Sequence, residues 1–311
     1  MKLVATGTAF LASLSLALAA PAPVELAERS SVGVSPAVVN TWAPLAQYAT
    51  AAYCGGDVWS WTCGGPCNSV ARPTVLAQGG DAKATPYFYV ANNGSHIIVS
   101  ISGTNTRSIL SLADDLEFTF TTPSSSYFPN AAGVSVHHGF YNTFTRVAGT
   151  VGPVVQNAVN NGATQVIVTG HSLGSAVGHL TATYLQRLLG SSATVYARLF
   201  ASPRVGNQAW ADYVDATLGS RAQHMINYND LIPTLPPRSF GFRQSSNEVW
   251  ISNAAGTSYV ACPGQENTSC QDSMGLTADI AKFIEYLDFG AHSGPYAGVK
   301  WLWLEKNKGE G

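Results

Sequence analysis

The clearest pattern of apolar residues lies in the middle of the chain. Residues 164–169 (TQVIVT) are β-branched and apolar, with no polar alternation after Gln165. Such a run is typical of a strand that is buried on both faces of a sheet. From about Ser175 to Leu188, apolar residues recur at helical spacing. The pattern predicts a central strand that passes directly into a helix.

Segments with the same two periodicities occur on both sides of this unit. Helices are predicted over residues 38–52, 140–160, 206–218 and 277–287, and strands over residues 86–91, 95–102, 195–201, 222–228 and 248–252. The Gly-, Pro- and Cys-rich stretch 55–80 is predicted to be a loop. Strands that alternate with helices indicate an α/β fold with a mainly parallel central sheet and helices on both faces.

Composition and the first residues indicate a secreted protein. Of the 311 residues, 46% are apolar and 11% are charged, and the net charge of −2 gives no reason to expect a nucleic-acid partner. An apolar run over residues 3–18 ends in a small-x-small cleavage pattern, which predicts a signal peptide at 1–19 and a short pro-segment at 20–34. No later stretch is apolar over a bilayer-spanning length. Glycosylation sequences at Asn93 and Asn267 fit this location.

The five cysteines fit an oxidising compartment. Cys63 with Cys67, and Cys262 with Cys270, would each close a small disulfide loop, and Cys54 is left over. A zinc site is the competing interpretation, but no second Cys/His cluster completes four ligands. We therefore expect no metal and no cofactor.

The turn between the central strand and its helix carries the pattern G-x-S-x-G at residues 170–174 (GHSLG). Glycine on either side lets the backbone turn tightly, and the strain lifts the hydroxyl of Ser172 clear of the sheet edge. The helix places unpaired N–H groups and the positive end of its dipole beneath the serine. This geometry predicts a nucleophile; the alternative is a structural turn whose serine caps the helix.

A serine nucleophile needs a histidine that accepts its proton and a carboxylate that holds the tautomer of that histidine. In this architecture the acid follows the serine and the histidine follows the acid. Asp230 stands at the C-terminal end of a predicted strand, the sheet edge at which Ser172 emerges. It is preferred to the other acid candidates, which are Asp215, Asp272, Asp279 and Asp288.

His292 is the one histidine that follows these acids, and it lies in a Gly/Ser/Pro loop. His224 follows the serine but falls within a predicted strand, ahead of every good acid. The other histidines are expected to be polar core or surface residues: His96, His137, His138, His171 and His179.

Acyl transfer also needs hydrogen-bond donors for the oxyanion. The backbone N–H of Leu173, directly after the nucleophile, is one donor. The loop that follows the strand at 95–102 begins Gly103-Thr104, where glycine permits close approach and Thr104 offers both an amide and a hydroxyl. Leu173 and Thr104 are therefore the predicted oxyanion donors.

The next segment, residues 108–120 (SILSLADDLEFTF), is amphipathic. Its apolar residues include Ile109, Leu110 and Leu112. Two interpretations have equal weight: an ordinary surface helix, or a lid whose apolar side covers the site and turns toward lipid.

Taken together, these stretches resemble the fungal class 3 lipases of the α/β-hydrolase fold, and most closely a basidiomycete-like branch. The matching stretches span residues 42–299 and are AYC (52–54), GT (103–104), HHGF (137–140), VTGHSLG (168–174), SPRVGN (202–207), NDLIPTLPP (229–237) and HSGPY (292–296). The resemblance implies a Ser-Asp-His triad at Ser172, Asp230 and His292. It also implies oxyanion donors at Thr104 and Leu173, a lid after that loop, and an acyl pocket lined by Ile232 and Leu235.

Two features depart from the family. Its members commonly join the cysteine of the AYC stretch to one near the C-terminus, whereas no cysteine follows Cys270 here. Residues 300–311 (KWLWLEKNKGEG) hold three of the six lysines and two tryptophans, unlike everything before them. Residues 35–299 are therefore assigned to the lipase domain and residues 300–311 to an atypical tail. The predicted lid also lacks a tryptophan found in some relatives, which argues against strong interfacial activation.

The sequence thus predicts a secreted serine carboxylester hydrolase that acts on acylglycerols. We expect a monomer whose substrate is a lipid or ester, presented at an oil–water interface. Within the enzyme class the alternative is a feruloyl or other aryl esterase, and from a different class it is a non-catalytic secreted binding protein.

Overall fold

The computed structural model describes residues 31–103, 118–275 and 289–301. The predicted signal peptide, Thr104, the segment 108–117, the helix predicted over 277–287 and residues 302–311 lie outside these ranges. Within them, no helix is both long and apolar enough to cross a bilayer.

The described ranges contain thirteen strands and seven α-helices. The strands are β1 (Val32–Gly33), β2 (Thr74–Gly79), β3 (Phe88–Asn92), β4 (Ile97–Ile101), β5 (Phe120–Thr121), β6 (Val136–His137), β7 (Gln165–His171), β8 (Thr194–Phe200), β9 (Gly206–Asn207), β10 (Ala222–Asn227), β11 (Phe242–Arg243), β12 (Glu248–Ile251) and β13 (Tyr259–Cys262). The helices are α1 (Pro36–Asn40), α2 (Ala43–Ala51), α3 (Gly65–Asn68), α4 (His138–Asn160), α5 (Leu173–Leu189), α6 (Gln208–Leu218) and α7 (Phe289–His292).

Nine of these strands form one sheet in the order β1-β13-β12-β10-β8-β7-β4-β3-β2. The five central strands, from β12 to β4, pair in parallel, and the strands at both ends pair antiparallel. The prediction of a mainly parallel sheet is therefore correct. Because the C-terminal ends of β7, β8 and β10 meet at one edge, the loops that leave them converge there.

Both faces of the sheet are covered, as the unbroken apolar strands require. In β7, Val166 and Val168 join the core that contains α4, α5 and α6, whereas Ile167 faces the core on the side of α2. Alternate residues of a strand point to opposite faces, so the middle of this strand, residues 166–168, is apolar without interruption.

Several predicted elements differ from the structure. The helix predicted from residue 206 begins at Gln208, because Gly206–Asn207 forms β9. The helix predicted over 38–52 is divided into α1 and α2, with Thr41 and Trp42 between them. The predicted loop 55–80 contains the edge strand β2, whose side chains alternate between exposed and half-buried. Phe120, the last residue of the amphipathic segment, is not helical, because it pairs with His137 in a strand.

A small second sheet lies at the edge where β8 ends. It has the order β11-β9-β6-β5 and is antiparallel. Phe120 stacks on Phe242 with ring centroids 4.2 Å apart, and Phe118 meets Phe240 edge-on at 5.7 Å. Phe120 in β5 is 38% exposed, and Phe240, which lies just before β11, is 51% exposed. Aromatic surface is therefore exposed on and beside this small sheet.

Both expected disulfides are present, Cys63–Cys67 and Cys262–Cys270. Cys54 is a free, partly buried thiol. Burial, reinforced by the nearby Asp57, raises the pKa of Cys54 to about 11, so the thiol is protonated at neutral pH.

Two histidines are fully enclosed between α5 and β10. The rings of His179 and His224 lie 5.8 Å apart, and no nitrogen of either ring has a hydrogen-bond partner in the described part of the chain. Burial, and then the neighbouring His224, lowers the pKa of His179 to about 3; burial lowers the pKa of His224 to about 4. Both imidazoles must therefore stay neutral in the folded protein.

This pair predicts a loss of stability in mild acid. The unfolded chain binds protons near pH 6.5 that the folded chain excludes, so the stability present above about pH 6.5 is lost as the pH falls toward the folded-state pKa values. We expect a slope of about 1.4 kcal/mol per pH unit for each histidine. Urea denaturation between about pH 7 and pH 5 measures it.

The variant His224→Leu should reduce this slope by about one histidine's share. The matched control is Ser192→Leu, because Ser192 is exposed and carries no group that titrates between about pH 5 and pH 7. Equal slopes in wild type and His224→Leu would contradict the prediction.

Candidate active site

Ser172 occupies the turn from β7 into α5, as predicted. Its backbone has φ 58° and ψ −128°, a conformation that residues with a side chain seldom adopt. The flanking glycines permit the turn, because a Cβ atom on Gly170 or Gly174 would overlap backbone atoms of the opposite loop or strand. The helix begins at Leu173, so the N–H of Leu173 has no intrahelical acceptor and is available to a ligand.

Asp230 and His292 form a buried pair, although 62 positions separate them in the chain. Nδ1 of His292 lies 2.9 Å from Oδ2 of Asp230, and each side chain is only 1% exposed. The carboxylate can only accept a hydrogen bond here, so Nδ1 carries the proton. In the neutral imidazole Nε2 is then a proton acceptor, and it is buried without a hydrogen-bond partner in the described ranges.

Three further groups hold Asp230 in place. The hydroxyl of Tyr296 donates to Oδ2 over 3.1 Å, and the N–H of Ile232 donates to Oδ1 over 3.0 Å. The side-chain amide of Gln271 donates to the backbone carbonyl of Asp230. Burial, and then the charge of Asp230, raises the pKa of Tyr296 well above its usual value, so this hydroxyl remains a donor.

The loop after β4 also reaches the serine. A Cβ atom on Gly103 would lie 3.1 Å from Cβ of Ser172 and would overlap Tyr53, which explains why glycine is required. Thr104 directly follows Gly103 but lies outside the described residues. The same is true of Ile109, Leu110 and Leu112, so their roles remain predictions.

The two predicted pocket residues lie close to the acid in the chain and are both buried, Ile232 at 6% and Leu235 at 5% exposure. Their loop is tied to Arg204, whose N–H donates to the carbonyl of Leu235 over 2.7 Å. The guanidinium of Arg204 forms two hydrogen bonds with Glu266, of 2.8 and 2.9 Å. Burial raises the pKa of Glu266, but hydrogen bonding and the charge of Arg204 outweigh burial and hold it below the usual value.

Two competing acid candidates are engaged elsewhere. Asp215 accepts hydrogen bonds from the N–H and hydroxyl of Ser246, and Asp272 forms an ion pair of 2.7 Å with Arg238. The remaining candidates, Asp279 and Asp288, lie outside the described residues.

Two polar residues have contacts that the sequence did not indicate. His171, expected to be a polar core or surface residue, is fully buried, and its Nε2 lies 2.8 Å from the carbonyl oxygen of His292. Tyr296 had no predicted role beyond its place in the matching stretch HSGPY. Each is a polar residue within a buried stretch next to a predicted catalytic residue, and that position was the available signal.

The two glycosylation sequences have different surroundings. Asn93 is partly exposed, and its side-chain oxygen accepts hydrogen bonds from the N–H groups of Ser95 and His96. Asn267 is only 5% exposed, and its amide donates to the carbonyl of Pro263 over 3.0 Å. Glycosylation at both positions remains a prediction, with the better access at Asn93.

Comparison with known proteins identifies relatives of this chain. The family described as Lipase (class 3) matches residues 98–240. A secreted mono- and diacylglycerol lipase of Malassezia globosa is 32% identical over 236 residues, which is 73% of this chain and 76% of the relative. A lipase of Rhizopus niveus is 28% identical over 84% of this chain and 67% of its own length.

Solved structures give the same result for the fold. The crystal structure of a lipase from Rhizopus microsporus var. chinensis matches with a TM-score of 0.73 and 26% identity, covering 91% of this chain and 95% of that one. Lipase II from Rhizopus niveus matches with a TM-score of 0.72 and 25% identity, covering 87% and 98%.

These similarities confirm the predicted α/β-hydrolase fold and the predicted class of enzyme, a carboxylic ester hydrolase. The predicted extracellular location is confirmed as well, since several relatives are named secreted lipases. The extent and identity of the match to the Malassezia globosa enzyme show that this chain belongs to the class 3 lipase family.

Proposed function

We propose that this secreted lipase hydrolyses acylglycerol esters with Ser172 as nucleophile, His292 as general base and Asp230 as the carboxylate that orients His292. The observation that carries the proposal is the buried Asp230–His292 hydrogen bond at the sheet edge where Ser172 is held in a strained turn. The names of the relatives support acylglycerols as the substrate class.

The reaction follows from these positions. Oγ of Ser172 attacks the ester carbonyl while Nε2 of His292 takes the hydroxyl proton, and Asp230 stabilises the imidazolium that results. His292 then protonates the leaving alcohol, and an acyl-enzyme remains. A water molecule then attacks the acyl-enzyme while His292 takes a proton from that water. His292 returns the proton to Oγ of Ser172, and the fatty acid is released. Nε2 and the hydroxyl are not hydrogen-bonded to each other here; such bonds often tighten only when substrate binds.

The N-terminus of α5 supports charge stabilisation at the same place. The oxyanion of the tetrahedral intermediate would accept a hydrogen bond from the N–H of Leu173, where the helix dipole also favours negative charge. Thr104 is proposed as the second donor, on the strength of the sequence and of the approach of Gly103 to Ser172.

We also propose that the enzyme works as a monomer at an oil–water interface. The exposed aromatic rings of Phe120 and Phe240 support contact with lipid on the side of the molecule where the catalytic loops emerge. Sedimentation in solution tests the monomer.

Replacement of the nucleophile should abolish hydrolysis without unfolding the protein. We expect Ser172→Ala to lower kcat by about 10⁶-fold, because no other group can form the acyl-enzyme. The measurement is ester hydrolysis together with the circular dichroism spectrum. Ser192→Ala, on an exposed turn, is the matched control. Turnover near that of the control would refute the assignment.

Replacement of Asp230 should lower kcat more than replacement of Tyr296, which donates a hydrogen bond to Asp230. Asp230→Asn should lower kcat by about 10⁴-fold, since an amide no longer enforces the required tautomer of His292. Tyr296→Phe should have a far smaller effect on kcat and mainly lower the free energy of unfolding by about 1.5–3 kcal/mol, because a hydrogen bond to a charged group is lost. Equal losses of kcat in the two variants would contradict this order.

A substrate panel separates the candidate activities. We expect emulsified monoolein, diolein and triolein to be hydrolysed faster than methyl ferulate, because buried Ile232 and Leu235 offer an apolar acyl site. Faster hydrolysis of methyl ferulate would favour an aryl esterase. Failure of an organophosphate ester to label Ser172 would favour a non-catalytic binding protein.

A further inference from the structure

The segment that carries His292 is held by hydrogen bonds to its backbone carbonyl groups. His292 is the last residue of α7 and does not lie in the loop that the sequence predicts. Three consecutive carbonyl oxygens each accept a hydrogen bond from a different part of the chain: Asn227 Nδ2 to Ala291 O at 2.8 Å, His171 Nε2 to His292 O at 2.8 Å, and Trp301 N to Ser293 O at 2.9 Å. Asn227 ends β10 and His171 ends β7, so two parallel strands of the central sheet hold this segment directly.

The partners of His171 determine its tautomer. Nε2 faces a carbonyl oxygen, which can only accept, so Nε2 carries the proton. Nδ1 is then an acceptor, and the hydroxyl of Tyr53 lies 2.9 Å from it as the donor. Both ring nitrogens are satisfied, and the two bonds fix the plane and the direction of the ring.

His171 is also kept uncharged and immobile by its surroundings. The side chain is completely buried, and its ring stacks on Trp301 with centroids 4.6 Å apart and planes 22° apart. Burial, and then the neighbouring His292, lowers the pKa of His171 well below its usual value. When His292 accepts the proton of the serine, His171 therefore does not compete for it.

The bond from His171 meets a geometric requirement that Asp230 alone does not. The Asp230 bond acts on the imidazole of His292 and not on its backbone. The bonds to the neighbouring carbonyls come from Asn227 at the end of β10 and from Trp301, and neither partner belongs to the element that carries the nucleophile. His171 immediately precedes Ser172, so its Nε2–H connects the backbone of the base to the element that carries the nucleophile. A shift of about 1 Å in such a pair can cost about 10²-fold in rate.

We propose that His171 is a positioning residue, whose Nε2–H holds the carbonyl of His292 and so sets the distance and direction between His292 and Ser172. This inference rests on the proposed roles of those two residues. The proposed function of His171 depends on its hydrogen-bond donor and not on the volume of its side chain.

The test compares two replacements of similar length and volume. His171→Gln retains an N–H donor that can reach the carbonyl of His292, and His171→Met does not. We expect His171→Met to lower kcat by about 10²-fold with little change in KM, and His171→Gln to recover at least about tenfold of that loss. The rate at which an organophosphate ester inactivates each variant should follow kcat, because that step also needs His292 to activate Ser172.

The exposed His138 provides the matched control, and His138→Met should leave kcat unchanged. Equal losses in the Met and Gln variants, or wild-type kcat in a folded His171→Met variant, would overturn the proposal. If neither variant folds, nitrogen NMR of the wild-type imidazoles decides the question: a proton on Nε2 of His171 supports the inference, and a proton on Nδ1 refutes it.

Two variants of the proposed triad, assayed beside those of His171, separate this inference from the proposed function. If Ser172→Ala and His292→Ala remain active, the triad itself is wrong. If both are inactive while His171→Met is fully active, only the positioning role of His171 fails.

Discussion

The strained backbone of Ser172 is the constraint on which the site depends. A residue with a side chain at this φ and ψ costs about 1–3 kcal/mol, so the surroundings must hold it there. The N–H of Ser172 donates to the backbone carbonyl of Phe200 in β8, and the hydroxyl of Ser175 donates to the carbonyl of Ser172. Gly174 packs against the backbone at the end of β4. The turn is thus fixed from both neighbouring strands, and α5 starts from a defined point.

Asp230 is also fixed in place, by residues that are distant from it in the sequence. Gln271, which follows the Cys262–Cys270 disulfide, contacts the backbone of Asp230. Within the disulfide loop, Glu266 pairs with Arg204 and so anchors the loop after β8 to the same region. A buried ion pair is costly unless its hydrogen bonds are complete, and here the bidentate geometry meets that condition.

The features that the sequence predicted well are those with a strong local signal. The central strand and its helix follow from an unbroken apolar run and a helical period. The pairing of Asp230 with His292 follows from the expected chain order of acid and histidine, whereas their catalytic roles remain a proposal. The helix begins at Leu173, not Ser175, because its first turn is specified by the glycines of the turn and not by apolar spacing.

Features that depend on tertiary pairing could not be predicted. Strand β2 lies at an edge among Gly- and Pro-rich residues, and the strands of the second sheet are only two residues long. Phe120 leaves the amphipathic pattern because it pairs with His137, a contact with no local signal. The role of His171 likewise depends on a residue 121 positions away.

The complete burial of Trp301 has a consequence for the biosynthesis of the enzyme. This indole packs against His171 and Phe200, in the middle of the sheet, and it comes after His292 in the chain. Such long-range contacts form only when both partners are available. An N-terminal portion of the chain that ends before residue 289 therefore lacks both His292 and the indole that stacks on His171. The packing around the proposed base is complete only after residue 301 has been translated.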